Sequence, residues 1–193
     1  MAEEKITLDN NCLISLEKGE RDSPEIRKII DLHDSGVIKV FITAIAASEN
    51  QRGGKKHRKF EEFEQYLRKI GCDSCFSLNP IAYLDIAYLD HCILSSSDLV
   101  DLEEQIHKIL FPKMPFQYAD FKKLYKTDPD VIHKKWLNAK CDVQAMWCHI
   151  HYNNDIFITN DGNFHKVSKK PGIIGLGAKE IDRPKEFIRR FNL

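Results

Sequence analysis

The sequence predicts an α/β protein with a central parallel sheet between helices. Short apolar runs rich in β-branched residues occur at 5–8, 37–42 and 156–159, and such runs are typical of strands that are buried on both faces. Segments with apolar residues at helical spacing lie between these runs. Acidic residues follow the runs, as expected where the carboxyl ends of parallel strands form a ligand-binding edge.

The first half of the chain alternates between strand and helix signals. Apolar residues at helical spacing predict a helix over Pro24–Ser35, which Gly36 ends. The remaining elements before residue 52 are a strand at Lys5–Leu8, the start of a helix at Asn11–Leu16, a strand at Val37–Ile42 and a helix at Ala44–Gln51.

Helix signals dominate the chain between Phe60 and Ile150. A stripe from Phe60 to Ile70 predicts one helix, and Ser97 is placed to cap another at Asp98–Leu110. Residues 113–139 also favour helix, with a break at Asp128-Pro129. A further helix is expected to begin at Asp142, with its buried face formed by Val143, Met146, Trp147 and Ile150.

The long segment between Glu49 and Asp142 is far longer than a single strand–helix unit requires. We interpret the chain as one domain over residues 1–193, with a mostly helical insertion at 52–135 that packs on the core. Long insertions near the carboxyl edge of a sheet often contribute to substrate selection.

Composition describes an ordinary globular protein. The chain has 193 residues, 42% of them hydrophobic and 30% charged. The apolar stretch Val37–Ala47 contains Lys39 and is too short to span a bilayer, so no membrane association is expected. The acidic start, residues 1–5, is unlike a secretory signal, and the expected location is cytoplasmic.

Four acidic residues stand out as candidates for catalysis and metal binding. Asp9 ends the first apolar run, Glu49 follows the second, Asp142 begins the amphipathic stretch described above, and Asp161 closes the third run. Carboxylates that meet at one edge repel each other unless a cation offsets their charge. Clusters made only of oxygen ligands suit Mg²⁺ or Mn²⁺.

In this order, the four acids resemble the pattern of the PIN domain, a family of metal-dependent ribonucleases. The pattern opens with a strand ending in Asp, matched by Ile6-Thr7-Leu8-Asp9, and continues with a Glu after the second strand, matched by Glu49. An acid at the start of a later helix is matched by Asp142. The last motif, Thr-x-Asp followed by Phe, is matched by Thr159-Asn160-Asp161-Gly162-Asn163-Phe164.

The resemblance covers roughly residues 5–50 and 136–190, and it implies a PIN-like three-layer α/β/α fold with endoribonuclease activity. Many family members have a further Asp where this chain has Asn163, so Asn163 and Thr159 are expected to support the acids and not to replace them. The implied partners are RNA and, for a toxin-type protein, an antitoxin. A homodimer stays open, and no motif marks an antitoxin-binding surface.

Basic residues lie next to two of the acids, although the whole chain has 29 Lys and Arg against 29 Asp and Glu. The segment after Glu49 carries the candidate RNA-binding residues Arg52, Lys55, Lys56, Arg58 and Lys59. A second basic zone leads into Asp142 and contains Lys122, Lys123, Lys126, Lys134, Lys135 and Lys140. Basic segments that flank an acidic metal centre suit a polyanion held by its backbone.

Three alternatives to a ribonuclease share parts of this sequence pattern. A catalytically inert PIN-like module that binds RNA or protein would keep the fold, although the four retained acids argue against it. A haloacid-dehalogenase-type phosphatase requires a second Asp where this chain has Asn11. A phosphoacceptor receiver domain requires an acidic pair near its amino terminus and a Lys after its last strand, and this pairing is absent. The pair Cys72 and Cys75 has zinc-ligand spacing but lacks a second pair at a recognised spacing.

Overall fold

A five-stranded parallel sheet with helices on both faces forms the protein, as seen in a computed structural model that describes residues 3–49, 59–83, 86–125 and 133–191. The elements are β1 (Glu4–Leu8), α1 (Asn10–Lys18), α2 (Ser23–Asp34), β2 (Ile38–Thr43), a 3₁₀ helix (Ala44–Ser48), α3 (Phe60–Lys69), β3 (Phe76–Leu78), a 3₁₀ turn (Leu89–His91), α4 (Ser97–Leu110), α5 (Tyr118–Tyr125), α6 (Lys134–His151), β4 (Ile156–Ile158), α7 (Lys170–Ile173), a π-helical turn (Ile174–Ala178), β5 (Glu180–Asp182), α8 (Pro184–Ile188) and a 3₁₀ turn (Arg189–Phe191). The predicted parallel α/β class is confirmed.

The strand order is β3-β2-β1-β4-β5, with β1 at the centre. Leu8, the last residue of β1, pairs with Ile42 on one side and with Ile158 on the other. Strands β2 and β3 lie on one side of β1, and strands β4 and β5, which come later in the chain, lie on the other side. This arrangement creates a switch in topology between β1 and β4. In open parallel sheets, ligands bind in the crevice outside the carboxyl ends of the strands at such a switch.

Two hydrophobic clusters cover the two faces of the sheet, because side chains alternate between faces along a strand. Ile156 and Ile158 belong to the cluster that includes α1, α2, α3 and α8, whereas Phe157 belongs to the cluster that includes α4, α5 and α6. Each of these three β4 side chains is almost completely buried. The near-continuous apolar character of the central strands follows from this double coverage.

The expected start of the long helix at Asp142 is wrong. Helix α6 begins at Lys134, and the side chain of His133 accepts a hydrogen bond from the amide of Lys135 at 3.2 Å. The buried face continues upstream through Trp136 and Leu137, which pack in the second cluster. Asp142 therefore lies in the middle of the helix, where the helix dipole gives a carboxylate no special stabilisation.

The expected helix at Ala44–Gln51 is also wrong in form and in extent. The chain forms a 3₁₀ helix at Ala44–Ser48, and Glu49 follows it in extended backbone conformation. Its five residues are all buried, so packing holds this short segment against the end of the sheet. Glu49 is placed after a turn and not on a helix face.

The segment 52–135, interpreted above as a helical insertion, includes part of the central sheet. Strand β3 pairs in parallel with β2, and α3 packs against the first hydrophobic cluster. The strand escaped prediction because it is only three residues long and carries the exposed residue Phe76. Helices α4 and α5 form the later helical portion of the segment, after β3 has completed the sheet on this side.

A buried polar network joins this helical portion to α6. Lys140 is 2% exposed and forms an ion pair with the fully buried Glu103 of α4 at 2.5 Å. Tyr83 bridges the pair, since it donates to Glu103 at 2.5 Å and accepts from Lys140 at 2.7 Å. Gln144 donates to Glu103 at 2.6 Å. Lys140, which belongs to the second basic zone, is thus unable to meet a phosphate in solution.

Substitution of Lys140 by Met should destabilise the protein by about 3–5 kcal/mol, because it leaves the Glu103 carboxylate buried without a counter-charge. Adding Glu103→Gln should recover at least half of this loss, since the amide keeps a hydrogen-bonding partner for Tyr83. The free energy of unfolding in urea measures both effects. Lys108→Met, which removes an exposed pair with Glu104, serves as the control and should change stability by less than about 1 kcal/mol. Equal losses for both Lys variants would contradict the assignment.

Candidate active site

Asp9 lies at the carboxyl end of β1 and begins α1. Its amide donates to the carbonyl of Ile158 at 3.0 Å, which ties the end of β1 to β4. Its Oδ1 accepts a hydrogen bond from the amide of Asn10 at 2.8 Å, so the carboxylate caps the helix that follows. The residue is only 4% exposed, and its carboxylate is therefore fixed at the sheet edge.

Thr159 holds Asp9 and Asp161 together through one hydroxyl group. Its Oγ1 donates to Asp9 Oδ2 at 2.6 Å and accepts from the amide of Asp161 at 3.0 Å. Asn11 closes this arrangement, because its side-chain amide donates both to Thr159 Oγ1, at 2.8 Å, and to Asp9 Oδ2. The carbonyl oxygen of Asn11 also accepts from the amide of Asn160 at 3.0 Å. The Asp after β1 and the Thr-x-Asp after β4 thus form one bonded unit.

Glu49 joins this unit from the other side of β1. The side-chain amide of Asn10 donates to Glu49 Oε2 at 2.6 Å. Because Asn10 directly follows Asp9 and is itself buried, its side chain holds the Glu49 carboxylate close to Asp9. Its own carbonyl oxygen, Oδ1, is buried and has no hydrogen-bond partner within the described part of the chain.

Asn163 supports Asp161 through its backbone. Its amide N–H donates to Asp161 Oδ1 at 2.8 Å. Its side chain points elsewhere, since Oδ1 accepts from Lys166 at 3.2 Å and from Lys169, and Nδ2 donates to the carbonyl of Leu110 at 3.4 Å. The supporting contact expected of Asn163 therefore exists, but it does not depend on the identity of this side chain.

The four acids form one electrostatic cluster. Burial raises the pKa of Asp9 to about 6, the bonds from Thr159 and Asn10 oppose the rise, and the charge of Asp161 adds to it. Burial, and then the charge of Asp9, raise the pKa of Glu49 to about 7. The pKa of Asp142 is raised well above its ordinary value by burial and by the charges of the three other acids. The structure thus brings all four predicted residues within reach of each other's charge.

The chemistry of this cluster fits a divalent cation. It offers carboxylate oxygens and the unpartnered carbonyl oxygen of Asn10, which are the hard donors that Mg²⁺ and Mn²⁺ take. A cation would also offset the repulsion that raises the pKa values. Across residues 3–49, 59–83, 86–125 and 133–191, no three His, Cys, Asp or Glu side chains converge closely enough to ligate one ion. Binding would thus require the carboxylates to approach each other further.

The candidate RNA-binding residues after Glu49 are placed only in part. Arg52, Lys55, Lys56 and Arg58 lie outside the described residues. Lys59 is exposed and stands immediately before α3. The phosphate-binding interpretation of this segment stays a prediction.

Two supporting residues of the site, Asn10 and Asn11, were not assigned to it from the sequence. In the sequence, Asn11 stands where a haloacid-dehalogenase-type phosphatase has its second Asp. The available signal was the pair of amides directly after a strand-end Asp. An amide can donate to one carboxylate while its carbonyl accepts from another group, which suits it to bridging.

None of the known protein families has a model that matches this chain, and no curated protein matches it either. Among the described residues, no helix combines the length and the apolar character needed to cross a membrane. The functional assignment therefore depends on the geometry and the chemistry of the site.

In the presence of EDTA, the free energy of unfolding should fall as pH rises from about 4 to about 7. Asp9 has a folded-state pKa of about 6 against an ordinary 3.8, so the folded state binds more protons in this range and stability is lost on ionisation. A shift of about two pKa units corresponds to a contribution on the order of 3 kcal/mol. Chemical denaturation of the parent and of Asp9→Asn across this range measures it.

The Asp9→Asn variant should lose a large part of that pH dependence, and Mn²⁺ should stabilise the parent more at pH 7.5 than at pH 5, because protons compete with the metal. An identical pH slope for parent and variant would show that Asp9 does not titrate in this range.

Replacing Thr159 by Val should shift the acid limb of any metal-dependent activity upward by about one pH unit. The hydroxyl bond to Asp9 lowers the pKa of that carboxyl, and a bond to a charged group is worth roughly 1.5 kcal/mol or more. Thr159→Ser should keep the parental profile. Thr7→Val, at a buried Thr that contacts His149 and Asn154, controls for lost stability. A shift with Thr7→Val as large as with Thr159→Val would remove the specific role of Thr159.

Proposed function

We propose that the protein is a divalent-metal-dependent endoribonuclease of the PIN-like kind, with Asp9, Glu49, Asp142 and Asp161 as the catalytic and metal-binding residues. The observation that carries the proposal is the electrostatic cluster of these four acids at the carboxyl edge of the parallel sheet. They come from four separate segments, and nothing in the packing of a fold requires like charges to be gathered in this way. Perturbed carboxylates that cluster in a cleft are typical of functional sites.

The local motifs support the family resemblance at two positions and depart from it at two others. Asp9 after β1 and Asp161 after β4 follow the family pattern, and they share the hydroxyl of Thr159. Glu49 follows a 3₁₀ turn instead of lying on a helix, and Asp142 lies in the middle of α6 instead of at its start. The departures change how the acids are presented, but all four still belong to one cluster.

Each group at the site has a role in the proposed hydrolysis. A bound Mg²⁺ or Mn²⁺ ion supplies the Lewis acidity that activates water for attack at phosphorus and stabilises charge on the leaving oxygen. The four carboxylates would hold the ion. Thr159 and Asn11 keep the Asp9 carboxylate in one orientation, and the Asn163 amide does the same for Asp161. Asn10 restrains Glu49 beside Asp9.

RNA is proposed as the substrate because basic residues lie close to the acid cluster in sequence and, at two positions, in space. The basic segment that follows Glu49 belongs to this argument through its sequence alone. Lys166 and Lys169 contribute a position that the structure describes, since both donate to Asn163, the neighbour of Asp161. A toxin role with an antitoxin partner, and a homodimer, stay predictions without a described surface to support them.

A catalytically inert PIN-like module that binds RNA or protein is the second candidate. The observation that favours it is that no three ligand side chains among the described residues converge on one point. An inert module would bind divalent cations weakly, and its acids would then have no catalytic role. Metal affinity therefore separates the two functions directly.

Asp9→Asn and Asp161→Asn should each reduce Mn²⁺-dependent cleavage of a fluorescent RNA by at least about 100-fold, because each removes a charged metal ligand. Thermal stability should stay equal or rise, since one repulsive charge is lost. The matched control is Asp155→Asn. Asp155 precedes β4 at the opposite edge of the sheet and pairs with Lys179 at 2.7 Å, so its loss should leave cleavage within about twofold of the parent.

Isothermal titration with Mn²⁺ accompanies the assay. Binding by the parent that is lost in Asp9→Asn supports the enzyme, whereas cleavage that persists in a repurified Asp9→Asn preparation would sink the assignment. A parent that shows neither Mn²⁺ binding nor cleavage, yet binds RNA, would favour the inert module.

A further inference from the structure

An open groove of about 280 Å³ lies between the loop after α4, the end of α5, the start of α6 and the segment before α7. Three lysines, Lys113, Lys135 and Lys169, line it together with the aromatic residues Phe111 and Tyr125. No acidic residue is among the described residues that line the groove. The groove is therefore a concentrated positive surface on a protein with no net charge.

Two of the groove lysines lie beside aromatic rings. The ammonium group of Lys135 lies 5.4 Å from the centre of the Tyr125 ring, and that of Lys169 lies 5.8 Å from the centre of the Phe111 ring. Tyr125 is 43% exposed, and Lys113 and Lys135 are exposed as well. Neither lysine forms an ion pair with a carboxylate in the described part of the chain. Lys113 and Lys135 are thus exposed positive charges at the groove.

The groove leads to the acid cluster through two hydrogen bonds. Lys169, at its inner end, donates to the side-chain oxygen of Asn163, and the amide of Asn163 donates to Asp161 at 2.8 Å. Lys169 also donates to the carbonyl of Leu110, the last residue of α4. A polymer with one phosphodiester at the acids would therefore place a neighbouring nucleotide near Lys169 and the groove.

We propose that this groove binds a single-stranded stretch of RNA beside the scissile phosphodiester, with the lysines on phosphates and Tyr125 against a base; this inference rests on the proposed function. Lysines interleaved with aromatic rings are the recurring means of holding single strands, because the cations neutralise the backbone and the rings take unstacked bases. In duplex RNA, the bases are stacked inside the helix and cannot reach such rings. The groove thus predicts that the site prefers single-stranded RNA to duplex RNA.

The first test measures the affinity of a fluorescein-labelled 12-nucleotide oligouridylate by fluorescence anisotropy, in EDTA so that nothing is cleaved. The double variant Lys113→Gln/Lys135→Gln should bind at least about tenfold more weakly at 100 mM salt. The log–log dependence of affinity on salt should flatten by about 1.4, since each lost phosphate contact on a single strand accounts for roughly 0.7.

The matched control removes the same charge elsewhere. Lys69→Gln/Lys108→Gln loses two lysines that pair with Glu17 and Glu104 and that do not line the groove, and it should bind oligouridylate as the parent does. Melting temperatures of both double variants verify that each is folded.

The second test separates base contacts from phosphate contacts. Tyr125→Ala should weaken oligouridylate binding by about tenfold, within the range seen when a stacking aromatic is removed. It should leave binding of an abasic ribose-phosphate oligomer of the same length unchanged. Leu124→Ala, at an exposed neighbour on the same helix, should affect neither ligand. Equal loss for both ligands would overturn the base contact.

The outcomes distinguish this inference from the proposed function. If the parent cleaves RNA with Mn²⁺ and the groove double variant binds like the control double variant, the groove inference is overturned and the nuclease assignment stands. If the groove variants lose affinity but the parent shows no metal-dependent cleavage, the groove stands as an RNA site and the nuclease assignment falls. Duplex RNA bound as tightly as oligouridylate, or no RNA binding by the parent, would overturn the groove inference.

Discussion

The parallel pairing of β1 with both of its neighbours is the constraint on which the candidate site depends. Because Leu8 is in register with Ile42 and with Ile158, the chain leaves three central strands along one row of the sheet. The acids that follow these strands must then share a small volume, whatever their separation in sequence. A slip of register by one residue at β1 would move its side chains to the opposite face of the sheet and displace Asp9 from the other carboxylates at the same time. The pairing of β1 is therefore required both for the stability of the fold and for the assembly of the site.

Gathering four carboxylates at that edge lowers the stability of the fold. Hydrogen bonds from the surrounding amides and hydroxyl group reduce this electrostatic cost. Burial and mutual repulsion raise the pKa values of Asp9, Glu49 and Asp142. The hydrogen bonds from Thr159 and Asn10 act in the other direction, because they favour the charged forms. The site is thus held by neutral donors, which restrain the carboxylates without cancelling their charge. A cluster neutralised by lysines would be more stable and would have less affinity for a cation.

The parts of the site that follow strong local patterns could be predicted from the sequence, and the parts set by tertiary packing could not. Asp9 and Asp161 follow β-branched apolar runs, whose ends are visible in any strand pattern. Glu49 and Asp142 lie within electrostatic reach of Asp9 and Asp161. Their predicted settings were wrong, since a buried 3₁₀ turn and an upstream helix start are decided by packing. Lys140 shows the same limit: a lysine in a basic stretch looks solvated until its buried partner, distant in sequence, is known.

The helical segment between β3 and α6 is coupled to the acids by its packing. Helix α6 carries both Asp142 and Lys140, and the Lys140–Glu103 pair fixes that helix against α4. The carbonyl of Leu110 at the end of α4 accepts from Lys169, which in turn contacts the neighbour of Asp161. Through these contacts, a shift of α4 would reach α6, which carries Asp142, and Asn163, whose amide donates to Asp161. The segment that forms the lysine-lined groove also sets the position of the carboxylates, so substrate contact and site geometry are joined in one packed unit.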